Sequence, residues 1–194
     1  MSRSIVDTHT EWLRLIESEG QFLTLPVLRQ AFQSGLDSIK PSVRDALRKR
    51  YPQGSEPSQP QWDSWTDWLL RDVLEWGPLF RTGEDATSYS HALPEHGIVL
   101  HASAVLLKDG VPRALIVRYA HGTALDRRLS GERWNASPID RLRVLCKAHG
   151  VRLGVLTDGE RIVVAWIPSV GPGGYATWET ALFLESKERA LLQS

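Results

Sequence analysis

The fold is decided by residues 111–168, VPRALIVRYAHGTALDRRLSGERWNASPIDRLRVLCKAHGVRLGVLTDGERIVVAWIP. The first residues of this stretch have β character, and a polar loop containing glycine follows them. Ser137-Pro138 is typical of a helix start, and Gly150 is placed to end that helix. Asp158-Gly159 then separates two apolar runs, which predicts a hairpin. The stretch therefore predicts strand, loop, helix and hairpin in that order.

The regions on either side of this stretch also have β character. Residues 98–107 are read as one apolar strand that pairs with residues 113–119, because Asp109-Gly110 between them is a strong turn signal. Residues 84–95 are predicted as a loop. Downstream, the glycine-rich turn at 171–174 leads to a strand over 176–184. A last helix is expected from residue 186 and would still be running at residue 194, so we expect a longer parent protein.

The N-terminal third predicts three short helices. The first is capped by Thr8 or Thr10, buries Trp12, Leu15 and Ile16, and ends at Gly20. The second begins after Thr24 and ends before Gly35, and the third runs from residues 38–41 to Tyr51.

The segment 52–60 is rich in proline, serine and glycine and predicts a linker. Beyond it, apolar residues recur at three- and four-residue steps along one helix that ends at Gly77-Pro78. Stacking on single-stranded bases is one reading of its tryptophans. Packing in the core is favoured, because the same helix carries four acidic residues. The stripe consists of Trp62, Trp65, Leu69, Val73 and Trp76.

These patterns predict an α+β protein in which a helical N-terminal lobe (1–52) precedes a mixed β-sheet with flanking helices (61–194), packed as one unit. No run approaches the roughly 18 apolar residues of a membrane helix, and the N-terminus lacks the apolar run of a signal peptide. We therefore expect a cytoplasmic protein without a membrane partner. The single cysteine, Cys146, excludes an internal disulfide and a multi-cysteine zinc site.

The formal net charge is zero, but the charges are segregated along the chain. Residues 108–152 contain ten Lys or Arg and four Asp or Glu, whereas residues 53–107 contain two basic and eight acidic residues. Two interpretations remain open: two solvated faces of one fold, or a basic surface that faces a polyanion.

Catalytic patterns are missing at the places where a nuclease would carry them. Nucleases of the PD-(D/E)xK kind have an αβββαβ core, with an Asp on one strand and Glu-x-Lys on the next to hold Mg²⁺ and steady the reacting groups. Here Val117 and Tyr119 stand where Glu and Lys would be, and residues 102–104 of the opposite strand are Ala-Ser-Ala. Metal-dependent cleavage is therefore not expected, although Asp126 remains open as a displaced carboxylate.

Two weaker constellations involve histidine. His91, His96 and His101 are spaced by five residues, which fits neither a helix face nor a strand face and disfavours zinc. Cys146 and His149 share a helix at i, i+3 and could mimic a nucleophile pair, but a buried cysteine is the favoured reading.

Five segments carry a resemblance to a known family through their order. They are residues 12–28 with GQFLTLPVL, 121–126 with HGTALD, 134–142 with WNASP and Arg141-Leu142, 150–159 with GVRLGVLTDG, and 176–183 with ATWETALF. Together they resemble the N-terminal region of large bacterial adenine-specific DNA methyltransferases of Type IIG restriction-modification and DISARM-like phage-defence systems. The Leu-Thr-Asp-Gly segment is also similar to an "LTNG" segment in the N-terminal nuclease domains of Type I restriction subunits.

The resemblance implies a methyltransferase domain downstream, with S-adenosylmethionine as the cofactor of the parent protein. This chain carries no cofactor-binding or catalytic motif of that enzyme: Asn135, its one asparagine, is followed by Ala-Ser and not by Pro-Pro-Tyr.

We therefore expect a non-catalytic module with a degenerate nuclease-like, restriction-endonuclease-like sheet. Its expected work is to position double-stranded DNA, or a defence-system subunit, beside the methyltransferase domain. The alternative is a protein-interaction or autoinhibitory module that does not bind DNA. The expected DNA contacts are the basic side chains of Arg127, Arg128, Arg133, Arg141 and Lys147.

Overall fold

The computed structural model describes residue 10 and residues 13–20, 22–34 and 40–184, and it is an α+β structure built on a mixed sheet. Seven strands form the main sheet in the order β1-β9-β8-β7-β6-β5-β2, and β3 and β4 form a separate hairpin. The strands are β1 Glu17–Gly20, β2 Phe80–Arg81, β3 Ser90–Leu93, β4 Ile98–His101, β5 Ala104–Lys108, β6 Val111–Arg118, β7 Leu153–Thr157, β8 Arg161–Trp166 and β9 Gly174–Glu179. The helices are α1 Leu25–Ala31, α2 Pro41–Arg50, α3 Gln59–Trp68, α4 Glu84–Thr87 and α5 Pro138–Ala148, with a π turn at Leu69–Val73 and a 3₁₀ turn at Thr180–Leu184.

Two predicted hairpins are confirmed, and each has the expected turn. Asp109 and Gly110 both have positive φ, 53° and 74°, as a two-residue turn of the mirror-image type requires, and β5 and β6 pair antiparallel on either side. The turn containing Gly159, with φ of 90°, joins β7 to β8, which also pair antiparallel.

Helix α5 connects two parallel strands, β6 and β7. Its start is confirmed at Ser137, whose hydroxyl accepts a hydrogen bond from the Asp140 amide at 3.2 Å. Gly150, with φ of 66°, follows its last turn. The buried face carries Ile139, Leu142 and Leu145, and it lies on the sheet beside Gly154, where an added Cβ would be 2.6 Å from a Leu142 methyl carbon. The close approach of helix and sheet therefore depends on a glycine in β7.

The predicted single strand over 98–107 is wrong, because the chain changes sheet in its middle. The Ala102 amide donates to Tyr89 O at 3.1 Å, whereas the next amide, that of Ser103, donates to Ile116 O at 2.8 Å. Neighbouring residues thus bond to two different sheets. The first half, β4, pairs with β3, which lies in the stretch expected to be a loop. An apolar run in the sequence does not reveal that its two halves have different partners.

The predicted helix end at Gly20 is also wrong. Glu17–Gly20 forms the edge strand β1, which pairs antiparallel with β9. A Cβ on Gly20 would lie 2.5 Å from Gly173 O, so the glycine permits close strand contact and does not end a helix. The positions Thr8, Trp12 and Gly35, and the helix expected from residue 186, lie outside the described residues.

The strand expected over 176–184 continues only to Glu179. Thr180–Leu184 turns into a 3₁₀ segment that packs against α2. The tryptophan helix was predicted to end at Gly77-Pro78, but its α-helical part ends at Trp68. The chain continues as a wider π turn at Leu69–Val73. After this turn, the Gly77 amide donates to Arg71 O at 3.0 Å.

The sheet has a hydrophobic core on each face. One core contains α2 and α3 and includes Leu47, Trp65 and Ile116, so residues from both sides of segment 52–60 share it. The other contains α5 and the β3–β4 hairpin and includes Leu115 and Leu142. Successive residues of β6 thus face opposite cores, as expected for a strand covered on both sides. Among the described residues, no helix is long and apolar enough to cross a membrane.

The Gly159 turn yields a test of how the helices dock. Gly159→Ala places a β-carbon at a positive φ and 2.9 Å from the Trp62 ring, so we expect a loss of about 2–3 kcal/mol in the free energy of unfolding. Chemical denaturation measures this loss. Gly131→Ala is the matched control, because its φ is 81° but nothing lies within 4 Å of its added carbon. Equal losses at the two positions would contradict a role for the Trp62 contact.

Candidate functional site

Val117 and Tyr119, the positions at which the sequence comparison with nucleases looked for an acid and a lysine, take part in apolar packing. Val117 lies in β6 and Tyr119 follows the end of that strand, and both pack, partly buried, against the core on the α5 side of the sheet. Burial raises the pKa of Tyr119, which keeps its phenol neutral. Neither side chain can ligate Mg²⁺ as a carboxylate does.

Arg118, between these two residues, belongs to the opposite face of the sheet. Its guanidinium pairs with the Asp67 carboxylate of α3 at 2.5 Å. Its amide donates to the hydroxyl of Ser103, which lies between β4 and β5, at 3.0 Å, so this serine serves as a backbone partner. Ala102 and Ala104, on either side of Ser103, are buried. The arrangement fastens α3 to the sheet.

The histidines do not converge on a metal site. His91 and His101 lie on β3 and β4 but face different partners, and His96 stacks on Trp134 with ring centroids 5.2 Å apart. Within the described residues, no group of three or more His, Cys, Asp or Glu could hold a metal ion.

The loop of residues 120–136, called the arginine loop below, leaves β6 and leads into α5. Arg127, Arg128 and Arg133 are exposed on it. Buried Leu125 anchors the loop, and its carbonyl accepts from the Ile139 amide at 3.2 Å. Arg133 also donates to Gly97 O at 3.4 Å, which brings it close to the β3–β4 hairpin. These three guanidinium groups can meet a phosphate from solvent.

The other two expected contacts lie elsewhere. Arg141 is only 9% exposed, and its guanidinium donates to Trp134 O at 2.6 Å and lies 3.7 Å from the Glu132 carboxylate. It therefore holds the arginine loop against α5. Lys147 is exposed at the last turn of α5.

The ion pair between Asp158 and Arg161, which was not predicted from the sequence, supports the start of the arginine loop. The Asp158 side chain has no solvent exposure, and Arg161 meets it at 2.7 Å. The same Arg161 nitrogen donates to Thr123 O, also at 2.7 Å. Asp158 three residues before Arg161 was visible in the sequence, but the Thr123 partner lies 38 residues away and had no sequence signal.

Asp126 lies beside a groove of about 900 Å³ between the arginine loop and the sheet face of β8, β9 and β1. Tyr175 lines this groove, and its hydroxyl donates to the Glu19 carboxylate at 2.8 Å. Burial, reinforced by Glu19, raises the pKa of Tyr175 to about 12. The groove mixes both signs of charge and does not favour a polyanion. Its charged lining residues are Arg14, Glu17, Glu19, Asp126, Arg127, Arg161 and Glu179.

Cys146 and His149 have separate partners and do not form a nucleophile pair. The thiol lies 3.7 Å from Leu153 O, whereas the His149 Nε2 lies 3.0 Å from Ser90 O and its ring meets Tyr89 edge-on. Burial raises the pKa of the Cys146 thiol to about 12. The sulfur is therefore protonated at neutral pH and lacks nucleophilic character.

Comparison with protein-family models, curated proteins and solved structures finds no match to this chain.

The Asp158–Arg161 pair predicts a measurable stability contribution. Asp158→Ala leaves Arg161 without its buried carboxylate, and we expect a loss of about 2–4 kcal/mol in the free energy of unfolding. Thermal or urea denaturation measures it. Asp63→Ala makes the same change at an exposed aspartate that only accepts a hydrogen bond from Gln59 at 2.9 Å, and it should cost far less. A small loss at Asp158 would show that the pair does not hold the loop.

The burial of Cys146 predicts that thiol reagents label this residue slowly in the native protein. Because the pKa is raised to about 12, the reactive thiolate forms in the folded protein only well above pH 8. We expect reaction with a disulfide reagent at pH 8 to follow the unfolded fraction as urea increases. Complete, rapid labelling without urea would contradict the burial of this thiol.

Proposed function

We propose that this chain is a non-catalytic module with a nuclease-like core that positions double-stranded DNA beside the methyltransferase domain of a DNA modification or phage-defence protein. The topology supports a restriction-endonuclease-like reading. The elements α3, β2, β5, β6, α5 and β7 follow in the αβββαβ order if α4 and the β3–β4 hairpin are counted as an insertion between β2 and β5. In the sheet, β2, β5 and β6 are antiparallel neighbours, and β7 is parallel to β6. The order and pairing of these elements support a restriction-endonuclease-like fold. They do not by themselves support a function, because one fold can carry many functions.

A non-catalytic role is supported by the residues that occupy the expected acid and lysine positions. Val117 and Tyr119 are packed against the core, and their replacement by acidic and basic residues would bury charge there. On this proposal, the sheet has a nuclease-like order of elements and its side chains serve stability.

The observation that carries DNA positioning is the exposure of Arg127, Arg128 and Arg133 on one loop directly after β6. Guanidinium groups form bidentate hydrogen bonds with phosphate, and such contacts position DNA without reading its sequence. Two internal hydrogen bonds hold this loop, because Arg141 donates to Trp134 O and Arg161 donates to Thr123 O. Lys147 adds an exposed charge at the end of α5.

Binding to duplex DNA tests the proposal. Fluorescence anisotropy at low and moderate salt should show binding that weakens as salt rises, as expected when phosphate contacts release counterions. Arg127→Gln, Arg128→Gln and Arg133→Gln together should weaken binding. They should also reduce the magnitude of the slope of log affinity against log salt concentration by roughly 2–3, because three phosphate contacts are lost.

A matched control removes the same charge at the other end of β6. Lys108→Gln, Arg113→Gln and Arg152→Gln change three exposed residues near the start of β6 and β7. This control should bind like the unaltered protein. If both triple variants weaken binding equally, binding depends on the net charge of the chain and not on the arginine loop. Absence of binding at low salt would favour the alternative, a protein-interaction or autoinhibitory module. Mg²⁺-dependent nicking lost in Asp126→Asn would instead reveal a displaced nuclease centre.

A further inference from the structure

A second, smaller groove lies on the helical face of the molecule, between the end of α2 and the side of α3. It is an open groove with a volume of about 410 Å³, within the range of protein ligand pockets. Its floor is formed by Tyr51, Trp65 and Trp68, and Lys49 and Arg50 lie at its rim. We call it the tryptophan groove.

The tryptophan groove has one sign of charge. The ten described residues that line it include Lys49 and Arg50 and no Asp or Glu. The acidic residues of α3 are engaged elsewhere: Asp67 pairs with Arg118, and Asp63 accepts a hydrogen bond from Gln59 at 2.9 Å. An anionic group entering the groove therefore meets cations without meeting a lining carboxylate.

The aromatic rings of the floor are already covered on their faces. Trp65 is 2% exposed, and the Arg50 guanidinium lies over the Trp68 ring at 4.9 Å from its centroid. Tyr51 meets Trp62 and Trp65 edge-on. A nucleobase binds such sites by stacking on an open ring face. These rings instead offer edges and apolar walls, which suit an aliphatic or proline side chain.

Two prolines complete the walls. Pro52 and Pro60 line the groove together with the aromatic side chains. Aromatic-lined grooves recognise extended, proline-containing peptides, because such peptides lose little conformational entropy on binding. Cations at the rim add selectivity for acidic residues beside the proline.

We propose that the tryptophan groove binds an acidic, proline-containing peptide segment of a partner protein. Carboxylates of the peptide pair with Lys49 and Arg50, and its apolar residues pack against Trp68 and Pro60. The site is separate from the arginine loop, so the chain would hold a protein partner on its helical face independently of DNA.

The test uses the whole chain and three fluorescein-labelled probes. They are a short acidic peptide with a central leucine–proline pair, its counterpart with lysine in place of each acidic residue, and single-stranded oligothymidylate. We expect the acidic peptide to bind more tightly than the other two. The double variant Lys49→Glu, Arg50→Glu should weaken that binding by roughly tenfold or more, because two attractive charges become repulsive.

Controls separate this site from the DNA surface and from loss of fold. The variant Lys108→Glu, Arg113→Glu carries the same charge change on the β5–β6 hairpin and should bind the acidic peptide normally. The arginine-loop triple variant should also bind it normally, and Lys49→Glu, Arg50→Glu should keep its affinity for duplex DNA and a cooperative thermal unfolding transition. Acidic-peptide binding that is absent, or unaffected by Lys49→Glu, Arg50→Glu, overturns the proposal. So does tighter binding of oligothymidylate that this double variant abolishes.

Discussion

The turn at Gly159 joins parts of the molecule that are far apart in sequence. Its carbonyl accepts hydrogen bonds from the Trp65 indole nitrogen at 3.2 Å and from the Thr180 hydroxyl at 3.1 Å. Its α-carbon lies against the Trp62 ring so closely that no β-carbon fits without a shift. Glycine suits this position because it adopts a positive φ without strain and has no β-carbon to collide with the Trp62 ring. The helical face, the β7–β8 hairpin and the 3₁₀ turn after β9 therefore depend on one backbone position.

The same hairpin positions the arginine loop on the other side. Asp158, adjacent to Gly159, holds Arg161, and Arg161 holds the Thr123 carbonyl. The His121 ring stacks on Trp62 with centroids 4.2 Å apart, so the start of the loop also leans on α3. A change in the turn would thus reach the exposed arginines through the packing, although none of them contacts Gly159.

The two candidate surfaces differ in the origin of their charge. On the arginine loop, Arg127 and Arg128 come from a basic stretch of sequence, and both side chains are exposed. At the tryptophan groove, Lys49 and Arg50 come from α2, and the acidic residues of α3 are turned toward other partners. A net charge of zero is therefore compatible with locally positive surfaces, because pairing decides which charges stay exposed.

By itself, the sequence determined the local elements: the Asp109-Gly110 and Gly159 turns, the Ser137 cap and the α+β class follow from backbone preferences and short-range periodicity. Of the candidate site, it supplied the exposed loop arginines but not their support. Only the tertiary structure decided that residues 98–107 divide between two sheets, that residues 17–20 form an edge strand, and that Arg141 is buried. Strand pairing and burial arise from contacts between distant residues, and no local pattern encodes which distant partner is met.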